Sequence, residues 1–431
     1  MRKGSGGSGA GDAAAGMPAA ADMSDPPGAS GWDQGGGLWR LQSSHVAVHG
    51  QSRGKVDWAS GIRRTWSVGE EGAQAALAAF VESGAVLRFG GRQRFRADEA
   101  ATAAISPHLR FGEISSRQVL HAVQAASGDG GGGDDGGSGR CGAFLRRLAW
   151  RDLAYWALWR FPSLPSAPFR PWFEHQRWSY DQQALHAWQA GATGYPLVDA
   201  AMRQLWATGW IPNYLRHVVA SFLIEYLNLD WRHGLRWFDY TLVDADVAIN
   251  AFMWQNGGHS GFDQWNFVMH PVYAAKSCDP DGAYVRQWIP ALAPLPAEYI
   301  HCPWDAPFAL RAASRLVLGR DYPARILTGL EAARRDSHAA VMEVRRGPAK
   351  DNVLPSGHEW LELDSGRRVC LITREDYREG TVGRDGELIS GDRVVTRQTA
   401  DLKRDPRRRE RTDTAARAMA YALGEHARGR C

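Results

Sequence analysis

Apolar residues recur at helical spacing through a long central part of the chain. Residues 71–83 place Leu77, Phe80 and Val81 on one side of an alanine-rich segment, and residues 142–330 follow a helical pattern nearly throughout. Glycine, proline and aspartate separate successive helical segments in that stretch, at 144–161, 196–207, 213–227, 235–242 and 246–255. Strands do not alternate with helices, so the pattern predicts an all-α domain and gives no support to a Rossmann dinucleotide fold.

Both ends of the chain and one internal segment lack this periodicity. Residues 1–57 are rich in glycine, alanine and serine, which predicts a disordered leader. Glycine and aspartate dominate residues 127–140, which predicts a flexible insertion within a helical domain spanning 58–344. Residues 345–431 predict a small, irregular and partly disordered C-terminal extension, with short β-like runs between 360 and 396.

Nineteen tryptophans are the anomaly of the composition, because indoles are large and hard to bury completely. So many predict either a wide aromatic core or a site that uses indole rings. The net charge of +4 favours anionic partners only weakly, since the distribution of charge matters more than its sum.

The cysteines and the apolar runs restrict the cellular setting. Five scattered cysteines form no CxxC or Cys/His cluster, so we expect no metal site, no disulfide framework and a reducing compartment. No apolar run reaches membrane-spanning length, and the N-terminus is unlike a secretory signal, so we expect no membrane partner. The expected location is the nucleus or the cytoplasm, with the chloroplast also open.

The segment 242–264 is the most unusual. Asp246, Asn250 and Trp254 follow each other at four-residue spacing and therefore form a column on one helical face. Taken in isolation, an N-capped helix with a buried tryptophan explains this column better than a binding site does. Upstream, Asn213 and Arg216 share a face of an apolar helix, where a buried arginine needs an acidic partner such as Asp244 or Asp246.

A second candidate lies at 102–112, where two hydroxyl side chains stand beside a predicted helix start. Backbone N–H groups at a helix N-terminus can hold a phosphate, and an ordinary helix cap fits the same residues. Spacing alone gives no role to Trp178, Trp231 or Trp254, for which core packing is the default.

Taken together, these segments resemble the helical FAD-binding domain of the photolyase/cryptochrome family, from about residue 66 to about residue 341. The resemblance is carried by TAAISPHLRFGEISSR (102–117), WRDLAYW (150–156), TGYPLVDAAMRQLWATGWIPNYLRHVVASF (193–222), DWRHG (230–234) and LVDADVAINAFMWQ (242–255). The segment 318–341 is similar to the end of plant-type cryptochrome domains. The family's N-terminal antenna domain is not visible, through natural absence or a truncated gene model, so no antenna chromophore is expected.

The resemblance implies a bound FAD and assigns positions to it. It places the phosphates at 102–106, the N5 edge of the flavin at Asn250, a salt bridge between Arg216 and Asp244, and a flavin-accepting carboxylate at Asp246. The full implied set is Thr102, Ile105, Ser106, Phe144, Arg151, Asn213, Arg216, Asp244, Ala245, Asp246 and Asn250. It also implies an electron-transfer chain running outward through Trp254, Trp231 and Trp178.

Other positions help to distinguish a DNA-repair function from a signalling function. The resemblance marks Arg147, Trp150, Asn213 and Asn256 as candidate DNA-facing residues. Cyclobutane-dimer photolyases carry a glutamate where this chain has Arg147, and a second tryptophan where it has Asn256. The balance favours a blue-light photoreceptor of cryptochrome type, with signalling proteins or DNA as partners. The alternatives are a light-driven DNA photolyase, or a degenerate member without flavin, since Ala103 and Ala104 replace phosphate-binding positions.

Overall fold

The computed structural model describes residues 58–371, apart from 90–94, 98–101, 128–140, 263–264, 266, 353–358, 363–365 and 367. The predicted leader lies outside these residues. The predicted insertion also lies outside them, except for Ser127 at the end of a helix, as does the extension beyond 371. No helix in the described part of the chain combines the length and the apolar character needed to cross a lipid bilayer.

Helices dominate the described residues, which confirms the predicted all-α class. The helices are α1 Ser60–Thr65, α2 Glu70–Glu82, α3 Ala85–Arg88, α4 Ser106–Phe111, α5 Ser116–Ser127, α6 Gly142–Arg160, α7 Gln182–Ala190, α8 Pro196–Thr208, α9 Asn213–Ser221, α10 Trp231–Thr241, α11 Val247–Gly257, α12 Pro271–Cys278, α13 Ala283–Trp288, α14 Ala297–Ile300, α15 Phe308–Ala313 and α16 Leu330–Arg346. The described residues also include short 3-10 turns at Pro171–His175, Pro290–Leu292 and Lys350–Asn352 and a π turn at Phe222–Tyr226.

A pair of strands follows α16 in the described part of the chain. Strand β1 (Glu359–Glu362) pairs antiparallel with β2 (Arg368–Leu371), and Trp360 stands opposite Cys370. The short β-like runs of the sequence predicted strands in this region, and these two are the ones that the described residues contain.

Helix boundaries coincide with the start and stop signals of the sequence. The side chain of Asp230 accepts from the Arg232 backbone N–H at 2.9 Å and caps α10, and Asp246 caps α11 in the same way. Pro196 stands in the first turn of α8, and Gly209 ends that helix in the left-handed conformation with φ of 70°.

The main core surrounds α8, α9, α10 and α11. Leu197, Val198, Met202 and Leu205 of α8 are fully buried in it. Fully burying one such side chain contributes about 1.5–3 kcal/mol, so α8 is a major source of stability. A second cluster joins α2, α3, α5 and the start of α6, and a third packs Trp172 and Phe173 against α16.

The TGYPLVD motif has a structural role. Asp199 is fully buried on α8, and its carboxylate accepts hydrogen bonds from the Thr193 backbone N–H (2.7 Å) and hydroxyl (2.6 Å), from the Gly194 N–H (3.0 Å) and from the Tyr322 hydroxyl (2.6 Å). A buried carboxylate needs such partners. This network fixes the loop before α8 to the segment that precedes α16.

The predicted helix at 213–227 changes geometry halfway. After α9 ends at Ser221 the chain forms the π turn Phe222–Tyr226. Glu225 in this turn accepts from the Ser337 hydroxyl of α16 at 3.2 Å and lies 3.5 Å from the His259 Nε2. Burial raises the pKa of Glu225 to about 7. The hydrogen bond from Ser337 and the charge of Arg334 lower this pKa, but burial has the larger effect.

Candidate functional site

A pocket opens between α9, α10 and α11, with about 550 Å³ of space free of protein atoms, counting its open mouth. Apolar side chains form most of its walls, and polar groups stand on one side. The lining consists of Asn213, Arg216, His217, Ala220, Phe238, Leu242, Asp244, Ala245, Asp246, Ile249, Asn250, Met253, Trp254 and Trp265. The structure thus brings seven of the predicted site residues into one lining.

An ion pair joins α9 to the segment before α11. Arg216 Nη2 donates to Asp244 Oδ2 at 2.8 Å, and Arg216 Nε donates to the Ile211 carbonyl at 3.0 Å. The side-chain exposures are 23% for Arg216 and 4% for Asp244. The prediction that Arg216 pairs with an acid beside the pocket is confirmed, and Asp244 is that acid.

The second oxygen of Asp244 is left for a ligand. Oδ1 is buried and accepts no hydrogen bond from the described residues, although Asp244 lines the pocket. A buried carboxylate oxygen without a donor carries a desolvation cost that a ligand N–H or O–H would remove. The site therefore favours a ligand that offers a donor at this point.

In Asp246, by contrast, both carboxylate oxygens accept hydrogen bonds from other groups of the protein. Its Oδ1 accepts from the backbone N–H groups of Ala248 (3.1 Å) and Ile249 (3.3 Å), which is the predicted helix cap. Its Oδ2 accepts from the Tyr155 hydroxyl (2.9 Å) and Arg151 Nε (3.3 Å). Four bonds occupy the lone-pair positions of a carboxylate. Acceptance from a flavin ring by this side chain stays a prediction, and it requires Arg151 or Tyr155 to move.

Asn250 is buried at the pocket wall and bound to α10. Its Nδ2 donates to Asp239 Oδ1 at 2.5 Å and to the Leu235 carbonyl at 3.3 Å. Burial raises the pKa of Asp239 to about 6; the Asn250 bond opposes this shift and the charge of Asp246 adds to it. The predicted column of Asp246, Asn250 and Trp254 is present in the pocket lining.

Sequence reasoning missed the aromatic stack at the side of the pocket. His217 lies parallel to Trp265 with ring centroids 4.5 Å apart, and Trp265 stacks on Phe267 at 5.4 Å. Burial, then the charges of Arg147 and Arg216, lower the pKa of His217 to about 3, so its ring is neutral and Nε2 accepts from Asn213 Nδ2 at 3.2 Å. The four-residue spacing from Asn213 could have indicated His217. Trp265 comes from a loop whose path no periodicity predicts.

The three tryptophans of the predicted electron-transfer series lie at different places in the core. Trp254 is buried at the pocket wall, and a Cβ on Gly234 of α10 would come within 2.1 Å of its ring. Trp231 is buried against Gly258, whose N–H binds the Trp254 carbonyl one helical turn away. Trp178 is half-buried and precedes Ser179, which donates to the Asn228 carbonyl at 2.7 Å near the start of α10.

A further tryptophan, Trp188, contacts Trp254 of the predicted electron-transfer series. Trp188 of α7 is fully buried, with its ring centroid 6.5 Å from that of Trp254 at an interplanar angle of 79°. Its Nε1 donates to the Val219 carbonyl at 3.0 Å. No signal in the sequence distinguished it from the other tryptophans.

The remaining predicted cofactor residues lie outside the pocket lining. Ile105 and Phe144 are buried in the second core cluster, where the Phe144 ring lies 5.0 Å from that of Phe80. Ser106 Oγ accepts from Trp210 Nε1 at 3.2 Å, and Thr102 is half-buried. Their contact with a cofactor stays a prediction.

The candidate DNA-facing residues differ in exposure. Arg147 is exposed on α6, and Trp150 is half-buried with its ring 5.8 Å from that of Phe252. Asn256 is only 2% exposed, and Gly261 lies so close that a Cβ there would stand 2.2 Å from Asn256 Oδ1. Asn256 is therefore a buried residue beneath the turn after α11, and its contact with DNA stays a prediction.

These features suit a flat aromatic ligand with a polar edge. Phe238, Leu242, Ile249 and Met253 offer apolar contact surface, while Asp244 offers a free acceptor. Ligand pockets generally combine apolar walls with a few polar groups that fix orientation. An isoalloxazine ring, with N–H and carbonyl groups along one edge, satisfies both requirements.

Residues 144–343 match the family described as the FAD binding domain of DNA photolyase. Cryptochrome-1 of Arabidopsis thaliana is 36% identical over 288 residues, which cover 66% of this chain and 42% of that protein. The deoxyribodipyrimidine photo-lyase of Agrobacterium fabrum is 39% identical over 275 residues, covering 63% and 56%. The chain spans about half the length of the curated relatives it matches.

Solved structures give the same result. A bacterial class III photolyase from Agrobacterium tumefaciens aligns with a TM-score of 0.62 at 37% identity, covering 68% of this chain and 59% of that one. The cryptochrome of Synechocystis sp. PCC6803 aligns with a TM-score of 0.58 at 28% identity, covering 64% and 56%. Similarity extends to cryptochromes and photolyases alike and does not choose between them.

Proposed function

We propose, from the premise that this chain belongs to the photolyase/cryptochrome family through its FAD-binding domain, that it is a blue-light photoreceptor of cryptochrome type. Bound FAD would supply blue-light absorption and a reversible electron acceptor. Asn213, Arg216, Asp244 and Asn250 would hold it in the pocket.

The observation that carries the flavin photochemistry of this proposal is the position of Trp254. Its ring lines the pocket on one side and meets the tryptophan-rich core on the other, where Trp188 touches it. With FAD bound in this pocket, the indole of Trp254 would be an electron donor beside its acceptor. The family resemblance would make Trp231 and Trp178 the next two donors; Trp231 is buried against Gly258 at the end of α11, and Trp178 is half-buried.

Asp244 would orient the cofactor. Its free Oδ1 accepts a ligand N–H, while Oδ2 remains bound to Arg216. The ion pair holds the carboxylate in a fixed orientation, so the acceptor is in place before the ligand arrives. The apolar walls exclude water from the ring faces and strengthen this bond.

Two features support signalling over repair. Arg147 places a cation where dimer photolyases carry a carboxylate, and Asn256 is buried and offers no stacking surface to an extruded base. Aromatic stacking contributes about 1–3 kcal/mol per base, so its loss weakens the hold on a flipped lesion. Signalling proteins are then the expected partners, in the nucleus or the cytoplasm.

A light-driven DNA photolyase is the second candidate. Trp150 is half-buried against Phe252 and retains one stacking surface, and the exposed Arg147 can contact a DNA phosphate. Several photolyases are also among the relatives. A degenerate domain without flavin is the third.

The deciding experiment has two stages. The purified protein is examined for bound FAD by its absorption spectrum before and after blue light; bound FAD that is photoreduced supports both of the first two functions, and its absence supports the third. The reduced protein is then illuminated with dimer-containing DNA. We expect no dimer loss at catalytic protein concentrations, and efficient loss would replace the receptor by a photolyase.

A further inference from the structure

Both amide hydrogens of Asn250 are committed to α10. Nδ2 donates to Asp239 Oδ1 at 2.5 Å and to the Leu235 carbonyl at 3.3 Å, and an amide NH2 group has two hydrogens to give. Asn250 also lines the pocket. The group that it can offer to a ligand is therefore its carbonyl oxygen, which only accepts.

The chemistry of Asp239 fixes this orientation. Burial raises the pKa of Asp239 to about 6, which leaves the side chain ionised at neutral pH. A carboxylate has no hydrogen to donate, so a rotation of the amide by half a turn would set the Oδ1 of Asn250 against a negative oxygen. The rotated amide would lose a charge-assisted hydrogen bond and gain a repulsion.

We propose that Asp239 is a positioning residue that makes Asn250 present an acceptor, and not a donor, to the flavin edge in this pocket. The inference rests on the proposed FAD site, with Asn250 at the flavin N5. The reduced ring carries a hydrogen on N5 and the oxidised ring a lone pair. An oriented acceptor consequently favours binding of reduced FAD over oxidised FAD.

Asp239 differs from the other acids nearby in that it contacts Asn250. Asp246 has its four acceptor positions filled by the helix cap, Arg151 and Tyr155, and Asp244 is bound to Arg216. Asp239 contacts Asn250 from the neighbouring helix, outside the pocket lining. It therefore acts through Asn250, without touching the ligand.

Three variants of the full chain test the proposal. Asp239→Leu removes the acceptor and frees the amide to rotate. Asp239→Asn keeps a carbonyl acceptor of the same size and adds an amide NH2 that can also donate to a rotated Asn250, so it is the intermediate variant. Glu225→Gln alters another buried acid that faces α16 and not the pocket, and serves as the matched control. Oxidised and reduced FAD are the probes, with dissociation constants and the midpoint potential of the bound cofactor as readouts.

We expect Asp239→Leu to weaken binding of reduced relative to oxidised FAD about tenfold, the equivalent of one hydrogen bond, which lowers a two-electron midpoint potential by about 30 mV. Asp239→Asn should change the ratio by less than about threefold, and Glu225→Gln should leave it unchanged. Wild-type affinities and an unchanged ratio in Asp239→Leu overturn the inference and leave the FAD site standing. Failure of the wild type to bind FAD overturns the proposed function instead.

Discussion

Replacing Asp244 by alanine tests the ion pair on which the pocket is built. The change leaves Arg216 facing an apolar lining with the Ile211 carbonyl as its remaining acceptor in the described structure. Removing one partner of a buried ion pair costs about 3–5 kcal/mol because the other charge stays desolvated. Because Arg216 is 23% exposed and keeps one hydrogen bond, we expect a loss at the low end of this range, about 3 kcal/mol of unfolding free energy.

The assay is urea denaturation of the wild type, Asp244→Ala, Arg216→Met and the double variant. The double variant should lose less than the sum of the single losses, since it leaves no buried charge behind. Arg177 and Glu343 give a matched surface control, with their charged atoms 3.4 Å apart and side chains 57% and 61% exposed. Glu343→Ala should cost less than about 1 kcal/mol. A loss for Asp244→Ala as small as that of Glu343→Ala, or strictly additive losses, would refute the reasoning.

Three further predictions follow from the same structure. Because the pKa of Glu225 is raised from 4.5 to about 7, the native state holds a proton that the unfolded state has released between these values; the contribution of Glu225 to stability should therefore fall by about 3 kcal/mol as pH rises through this window. The lowered pKa of buried His217 acts in the opposite direction over part of this window, so the quantity to measure is the unfolding free energy of the wild type minus that of Glu225→Gln, and this difference should fall across the window. Gly234→Ala places a Cβ 2.1 Å from the Trp254 ring, so we expect a stability loss of about 1–3 kcal/mol and a shifted tryptophan fluorescence, whereas an unchanged protein would contradict the packing. Trp254→Phe should slow photoreduction sharply in transient absorption with FAD binding intact; an unaltered rate would exclude Trp254 as the donor.

The sequence predicts those parts of the site that depend on local spacing. The column of Asp246, Asn250 and Trp254 lies on one helix, and the helix cap at Asp246 follows from its position before an apolar run. An acidic partner for Arg216 was predicted because a buried charge must be paired. The ion pair with Asp244 confirms this prediction. Helix periodicity alone likewise predicted the all-α class.

Contacts between segments that are distant in the sequence could not be predicted from local spacing. Arg151 and Tyr155 of α6 reach Asp246 across the core, and this contact decides that the carboxylate is saturated. Trp265 joins the pocket from a loop without periodicity. The burial of Asn256 depends on the turn at Gly261, which folds back over the end of α11. Spacing along the chain carries no information on such approaches.

The most direct test of the central claim is the light-induced absorption change of the purified protein, followed by illumination with dimer-containing DNA. A photoreceptor built on this pocket should carry FAD, photoreduce it through Trp254 and leave the dimers intact at catalytic protein concentrations. A protein without FAD, or one that removes dimers efficiently, would contradict the claim.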